Sequence, residues 1–242
     1  MTETVAVTGG LGRAGRWVVA ALADEGYEVV CVDLEHPGWE VTPRSGVEFR
    51  AADLTDPGEA FDLFAELDPD AVAHLAALPS PDRHAGARVF AENVEAAYNV
   101  LTAAGRAGAR TAWASSESAY GFPFAREKTL PDELPVTEAH ALRPEDPYGV
   151  SKVAGEAVAE RTVRRFGVPV VSVRPSWVQH PGDYHCTEVE DLADGAGNFW
   201  SYVDARDLAG LFVAALDSDA GVSGHEAVHA AAADNYLGRP TA

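Results

Sequence analysis

The chain has 242 residues, 47% of them apolar, which is enough to bury a substantial core in one large domain or two small ones. Its 38 acidic and 18 basic residues give a formal net charge of −20. This charge argues against a nucleic acid or an anionic membrane as a partner, because both need a cationic surface. The acids are dispersed and lysine is rare, a composition that indicates adaptation to high salt, as in a halophile.

The sequence gives no sign of export or membrane insertion. The two cysteines, Cys31 and Cys186, form no Cys-x-x-Cys pair and make no disulfide framework. The amino terminus runs straight into a strand-like segment without a basic region, and the longest apolar run, 208–216, is too short to cross a bilayer. We therefore expect a cytoplasmic protein.

Strand-like and helical segments alternate along the chain. The predicted strands lie at 4–10, 27–34, 47–54, 71–78, 111–116, 169–178 and 224–231. The predicted helices lie at 11–25, 57–67, 84–106, 147–166 and 203–218. Strands that are apolar on both faces and joined by crossover helices predict an α/β fold, a Rossmann-like doubly wound parallel sheet of about seven strands in a single domain, 1–242. We expect substrate-binding elements at about 117–146, at 177–200 and after 232.

A glycine-rich turn, VTGGLGRAGR, follows the first strand. Gly9, Gly12 and Gly15 have the spacing T-G-x-x-G-x-x-G, which lets a pyrophosphate approach the backbone amides at a helix N-terminus. Asp33 ends the second strand, where its carboxylate can bind the adenosine ribose diol and repel a 2′-phosphate. The pattern therefore predicts NAD rather than NADP as cofactor; the alternative is a glycine-rich turn without a ligand.

The stretch PYGVSK places Tyr148 and Lys152 four residues apart at the start of a predicted helix. Lys128 and Lys152 are the only lysines of the sequence, so a chance Tyr-x-x-x-Lys pairing is improbable. A surface contact between helix neighbours is the alternative interpretation. The eight histidines show no H-E-x-x-H pattern, and we predict no metal site.

The motifs TGGLGRAG, HLAAL, ENVEAAYNVL, SSESAYG, PYGVSK, VRPSWV and YVDARDLA, in this order, resemble the extended short-chain dehydrogenase/reductase family, the NAD-dependent epimerase/dehydratase group. The resemblance implies that Ser116, Tyr148 and Lys152 are catalytic and that Asn93 helps to orient the lysine. The lysine ammonium, together with the cationic nicotinamide ring, is expected to lower the pKa of Tyr148 so that it acts as a base.

The same resemblance implies the remaining site residues. Cofactor-binding residues would be Gly9, Leu11, Gly12, Gly15, Asp33, Asp53, Leu54, Leu75, Ala76, Ala77, Asn93, Tyr148, Lys152 and Pro175. Substrate-binding residues would be Ser80, Ser116, Glu117, Tyr148 and Ser176. Asp53 could instead be a turn acid, Asn93 a polar helix residue, and Ser116 a cap of its own strand end.

The chain departs from nucleotide-sugar enzymes in its second half. Only about 20 residues separate RPSWV from FWSYVDARD, and residues 179–200 contain five acids and no Arg or Lys. A compact member of the family with GHEAVHAAAADNY near its end resembles the uronate and aldose 1-dehydrogenases, and this resemblance implies oxidation of C1 of a free sugar or sugar acid to a lactone. The absence of basic residues at 179–200 gives a lean towards a neutral aldose. The alternatives are an NAD-dependent epimerase or dehydratase and a non-catalytic nucleotide-sensing regulator. Family members often pair their Ala-rich helices, so we expect a homodimer or a tetramer.

Overall fold

The computed structural model describes residues 2–35 and 44–239 of the chain. Nine strands lie in this part: β1 (Thr4–Thr8), β2 (Glu28–Asp33), β3 (Val47–Ala51), β4 (Ala71–His74), β5 (Arg110–Ala114), β6 (Val170–Pro175), β7 (Trp177–Gln179), β8 (Tyr202–Asp204) and β9 (His225–Ala230). Seven of them form one parallel sheet in the order β3-β2-β1-β4-β5-β6-β9. The predicted Rossmann-like fold is therefore confirmed.

Five α-helices of the described residues cover the two faces of this sheet. They are α1 (Gly15–Asp24), α2 (Pro57–Leu67), α3 (Gly86–Ala107), α4 (Pro147–Phe166) and α5 (Ala205–Leu216). Successive strand residues point to opposite faces. Val5 and Val7 of β1 therefore pack in the cluster that contains α1 and α5, whereas Ala6 packs in the cluster that contains α2 and α3. Burying one large side chain such as Phe64 or Phe212 contributes roughly 1.5–3 kcal/mol.

Acidic residues begin three of the helices. The Asp56 carboxylate accepts a hydrogen bond from the Glu59 amide at 3.0 Å, and the Asp146 carboxylate accepts one from the Gly149 amide at 2.8 Å. Asp204 accepts one from the Arg206 amide at 2.7 Å. Such caps satisfy amides that lack a partner within the helix and contribute about 0.5–2 kcal/mol each. The cap at Asp146 fixes the first turn of α4, which carries the Tyr-x-x-x-Lys pair.

The predicted strand at 169–178 is divided in two. β6 ends at Pro175, whose nitrogen has no hydrogen to donate to a sheet neighbour. The chain then leaves the main sheet, and β7 pairs in parallel with β8. β1, β3, β4 and β5 end two to four residues before the predicted limits, because the residues beyond them form loops at the carboxyl edge, whereas β2 and β9 end one residue early.

The strand order reverses at β1, which lies between β2 and β4. At such a switch point the loops after the two central strands diverge and leave a crevice at the carboxyl edge of the sheet. The glycine-rich turn after β1 and the HLAAL segment after β4 both open into it. No helix of the described residues is long and apolar enough to cross a membrane.

Candidate active site

The crevice at the switch point contains a cavity of about 310 Å³. Gly9 has φ +67°, and a Cβ there would lie 2.7 Å from the Ala76 nitrogen. A Cβ on Gly15 would collide with the Gly9 carbonyl oxygen. Side chains at either position would close the turn against β4 or force α1 away from it, so the glycines keep the backbone accessible to a ligand. This cradle fits the diphosphate of a dinucleotide.

Carboxylates lie at the far end of the same cavity. Asp33 accepts hydrogen bonds from the Leu11 amide at 3.0 Å and from the Leu34 amide at 2.9 Å, which fix its carboxylate at the end of β2. Asp53 accepts from the hydroxyl of Thr55 at 2.7 Å and from the Thr55 amide at 2.9 Å; the hydroxyl and amide bonds lower the pKa of Asp53. An adenosine with a free ribose diol suits these acceptors.

Lys152 lies buried in the second turn of α4, with 4% of its surface exposed. Its ammonium donates to the Ala114 carbonyl at 2.7 Å and lies 5.3 Å from the centre of the Tyr148 ring. Burial lowers the pKa of Lys152 to about 8, and the charge of Glu156 opposes this shift. The ammonium is thus held between the end of β5 and the tyrosine.

The pKa of Tyr148 differs from the sequence-based expectation. Burial raises the pKa of Tyr148 to about 12; a hydrogen bond from Ser116 lowers it, and the charges of Asp146 and Glu117 raise it. The expectation that Lys152 lowers this pKa is wrong for the protein alone, because the ammonium is engaged by Ala114 and the tyrosine hydroxyl is desolvated. Of the two groups that were expected to lower the pKa of Tyr148, the cationic nicotinamide ring of the cofactor remains.

Two cavities lie on the substrate side of the site, and Tyr148 lines the smaller of them. The smaller, of about 290 Å³, is lined by Ser116, Glu117 and Tyr148 together with Trp177 and Asn198. The larger, of about 700 Å³, extends over β6 and β9 towards the carboxyl-terminal segment. Residues of 117–146, of 177–200 and beyond 232 line these cavities, so the structure brings the three predicted substrate elements together.

The geometry agrees with the comparisons with known proteins. The sequence model of the NAD dependent epimerase/dehydratase family matches residues 5–229 of the chain. The chain belongs to this NAD-dependent family. It is 33% identical over 186 residues to an L-arabinose 1-dehydrogenase (NAD(P)(+)) of Haloferax volcanii, a match that covers 72% of this chain and 66% of that enzyme. The chain therefore spans less than two thirds of the length of this relative.

Solved structures of similar fold include two at 27–30% sequence identity. A UDP-galactose 4-epimerase superimposes with a TM-score of 0.77 at 30% identity, covering 97% of this chain and 79% of that one. An Agrobacterium tumefaciens short-chain dehydrogenase/reductase superfamily protein with bound NAD superimposes with a TM-score of 0.75 at 27% identity, covering 97% and 80%. The second of these similar structures thus holds NAD.

Most of the expected cofactor residues of this family member lie in the crevice. The residues that line the 310 Å³ cavity include Gly9, Gly12, Asp33, Asp53, Leu54, Leu75, Ala76, Ala77 and Asn93. Leu11 and Gly15 do not line it but support it, through the Asp33 hydrogen bond and through packing on Gly9. Pro175 also does not line it, and it ends β6 on the substrate side.

Asn93, which is expected to help orient Lys152, hydrogen-bonds Leu78 and Ser151. Its side chain donates to the Leu78 carbonyl at 3.1 Å and to the Ser151 hydroxyl at 3.2 Å, and it accepts from the Leu78 amide at 2.8 Å. Asn93 therefore ties the HLAAL segment to the residue before the lysine.

Of the expected substrate residues, Ser116 and Ser176 line the cavities, whereas Ser80 lies in a turn outside them. Ser116 accepts from the Ser118 amide at 3.1 Å and also hydrogen-bonds Tyr148, so it both caps a short 3₁₀ helix and belongs to the site. Ser176 lines the larger cavity. Ser80 lines none of the three cavities described above, and its hydroxyl accepts from the Asp82 amide at 3.2 Å in a turn.

Sequence reasoning missed a buried ion pair beneath the substrate cavities. Glu156 lies one turn after Lys152 and binds the Arg174 guanidinium through both carboxylate oxygens, at 2.8 and 2.6 Å. Ser115 donates to the same carboxylate at 2.6 Å, and Arg174 donates to the Tyr120 hydroxyl at 2.6 Å. The sequence shows Glu156 in SKVAGE and Arg174 in VRPSWV. It does not show that they pair, because one lies on a helix and the other on a strand.

Proposed function

We propose that the chain is an NAD-dependent oxidoreductase that oxidises a free sugar or sugar acid at C1, giving a lactone. The observation that carries this proposal is the arrangement around Tyr148. The Ser116 side chain interacts with its hydroxyl, the buried ammonium of Lys152 lies over its ring, and it lines a cavity of monosaccharide size beside the nucleotide crevice. These are the groups that a hydride-transfer reaction needs at a carbinol carbon.

NAD, when bound, supplies the acceptor for the hydride that leaves C1. The chain supplies the remainder of the reaction. The Tyr148 oxygen takes the proton of the C1 hydroxyl, and Ser116 holds the reacting oxygen by a hydrogen bond. The ammonium of Lys152 lies beside the Tyr148 ring, and the turn amides around Gly12 hold the diphosphate. Asp33 binds the ribose diol and disfavours a 2′-phosphate.

We further propose a neutral aldose as the substrate and a single domain as the catalytic unit. No Arg or Lys is among the residues that line the smaller cavity in the described part of the chain. Lys128 comes near, since its ammonium lies against Gly197 in the cavity wall, but its side chain is exposed. Proteins usually bind a substrate carboxylate through the guanidinium group of an arginine, and no arginine is among the described residues that line the smaller cavity.

A second candidate, an epimerase or dehydratase, is favoured by the larger cavity. A volume of about 700 Å³ exceeds what a single monosaccharide fills and would admit a sugar conjugate. Such an enzyme returns the hydride to its substrate and keeps its NAD, so the two reactions differ in net NADH.

The test is a screen of free aldoses, sugar acids and nucleotide sugars with NAD in high salt. Net NADH formation with an aldose, in a 1:1 ratio to lactone, supports the proposal. Conversion of a nucleotide sugar without net NADH, by protein that retains NAD through purification, would replace it with the second candidate.

A further inference from the structure

Two residues at the carboxyl end of β5 hold the Tyr-x-x-x-Lys pair of α4. The carbonyl of Ala114, the last residue of β5, accepts a hydrogen bond from the Lys152 ammonium at 2.7 Å. The side chain of Ser116 interacts with the Tyr148 hydroxyl. The places of the ammonium and the hydroxyl therefore depend on how α4 is set against the end of β5.

Ser115 lies between these two residues and makes a third contact with α4. It is buried, and its hydroxyl donates to the Glu156 carboxylate at 2.6 Å. Tyr148, Lys152 and Glu156 are spaced four residues apart, so they lie on one face of the helix. Three successive residues of the chain thus contact three successive turns of α4. Neither Ser115 nor Glu156 is among the described residues that line the three cavities above.

Glu156 gives Ser115 a fixed point to bind. The Arg174 guanidinium on β6 binds both oxygens of the Glu156 carboxylate, and the arginine and glutamate side chains are only 4% and 7% exposed. Moving this carboxylate would leave a buried charge unpaired, which is strongly unfavourable. The helix also lies close against β5, since a Cβ on Gly155 would lie only 2.4 Å from the Trp113 ring. The Ser115 bond therefore joins the end of β5 to a point on α4 that Arg174 holds in place.

We propose that Ser115 is a positioning residue: its hydrogen bond to Glu156 sets the end of β5 against α4, so that Lys152 and Tyr148 meet the reacting groups in the geometry that turnover requires. The part of this inference that concerns turnover rests on the proposed function. Displacing a reacting group by about 1 Å can lower a rate about 100-fold. Loss of one hydrogen bond behind the site should cause a smaller displacement and a smaller loss.

The first measurement compares Ser115→Ala with Ser172→Ala as the matched control. Ser172 is also a buried serine; it lies on β6, its hydroxyl hydrogen-bonds the His225 ring at 2.8 Å, and it is not among the residues that line the three cavities. With the sugar identified in the screen, Ser115→Ala should lower kcat about 10-fold and leave KM for the sugar within about 3-fold. Ser172→Ala should keep kcat within about 2-fold. Thermal melting of each variant checks the fold.

The second measurement needs no substrate. Lys128 and Lys152 are the only lysines of the sequence, so protein labelled with carbon-13 at Cε of lysine gives two NMR signals, which Lys128→Met assigns. The pH titration of the Lys152 signal reports the surroundings of its ammonium. The titratable groups that face this ammonium are Tyr148 and Glu156 on α4 and His74 on β4.

The Ser115 variants should change this titration. Ser115→Ala should raise the pKa of Lys152 from about 8 towards its ordinary value of 10.5 by about 0.5 or more, because the Glu156 carboxylate loses a donor and a looser contact admits water to the ammonium. Ser172→Ala should leave the titration unchanged. Ser115→Cys, which has a similar shape and a weak donor, should change kcat and this pKa in the same directions by less. It replaces Ser115→Ala if that variant does not fold.

The outcomes that overturn the inference are distinct from failure of the proposed function. An unchanged kcat or an unchanged Lys152 titration in the folded Ser115 variants overturns it, as do equal losses of kcat in Ser115→Ala and Ser172→Ala. Failure of both Ser115 variants to fold, while Ser172→Ala folds, assigns Ser115 to folding and also overturns it. Absence of NADH formation by the wild type with every sugar removes the proposed function, and the Lys152 titration still decides whether Ser115 positions the lysine.

Discussion

The ammonium of Lys152 lies 5.3 Å from the centre of the Tyr148 ring while its hydrogen bond goes to the backbone carbonyl of Ala114. The lysine is therefore anchored by the sheet, with its charge beside the tyrosine ring. A buried ammonium with one backbone acceptor is costly, and the depressed pKa of Lys152 expresses that cost. A position that serves folding alone would favour an apolar side chain there.

The first prediction concerns the stability of the protein without cofactor. The pKa of Lys152 is about 8 in the folded protein, against an ordinary value of 10.5. Between these values the unfolded chain holds more protons, so the free energy of unfolding should rise as the pH increases from about 8 to about 10.5. Lys152→Met should remove this rise, which is on the order of 1–3 kcal/mol. Denaturant titrations across this pH range measure it, and Lys128→Met, at an exposed lysine, should retain it.

The second prediction concerns the choice between NAD and NADP. The Leu11 and Leu34 amides donate to different oxygens of Asp33, so Asp33→Asn keeps an oxygen acceptor for one of them and removes the charge. We expect wild type to bind NAD much better than NADP and the variant to narrow this preference by about 10-fold or more, because the repulsion of the 2′-phosphate is lost. Calorimetric titration of both cofactors in high salt measures it. Similar affinities of the wild type for the two cofactors would contradict the assignment of Asp33.

The parts of the site that the sequence predicted are motifs whose residues lie close together along the chain. The glycines of the first turn and the Tyr-x-x-x-Lys pair each lie within one local segment whose geometry follows from its residues. Asn93 hydrogen-bonds Ser151, which is 58 positions away in the sequence. Glu156 on a helix pairs with Arg174 on a strand 18 positions later. Such partners depend on how α3, α4 and β6 pack, which no local pattern encodes.

Burial is the second reason for the differences. The sequence showed a lysine beside a tyrosine and hence a lowered tyrosine pKa, whereas desolvation of the hydroxyl dominates in the fold. The end of β6 has a different cause. The apolar pattern continues through 169–178, but the Pro175 nitrogen has no hydrogen to donate to a sheet neighbour. The overall fold was predictable because the alternation of strands and helices does not depend on these details.

The third prediction concerns the buried pair under the cavities. Glu156→Gln leaves the Arg174 charge buried without its carboxylate, so we expect a loss of about 3–5 kcal/mol in the free energy of unfolding. Glu160→Gln, which breaks an exposed pair with Arg164 on the same helix, should cost under about 1 kcal/mol. Urea unfolding in high salt measures both, and equal effects of the two substitutions would contradict a structural role for the buried pair.

The fourth prediction concerns assembly. Helices α3 and α4 pack together and expose apolar side chains, among them Phe90, Tyr98 and Val150. We expect these helices to pair with those of a second copy, giving a homodimer. Light scattering across protein concentrations in high salt should give the dimer mass, and Tyr98→Glu should shift the equilibrium towards monomer because it places a charge in the pairing face. A wild-type monomer at all concentrations would count against the pairing.

The fifth prediction separates Tyr148 from Lys152 in catalysis. Tyr148→Phe removes the hydroxyl that takes the substrate proton but leaves the ring over the lysine, so turnover should fall by about 100-fold or more while NAD affinity stays within about 3-fold. Lys152→Met should lower turnover and weaken NAD binding together, because the family resemblance implies that this ammonium binds the cofactor as well as serving catalysis. Tyr27→Phe, remote from the cavities, should leave turnover unchanged. Single-turnover kinetics and NAD titration measure both quantities. Wild-type turnover in Tyr148→Phe would show that another group accepts the proton.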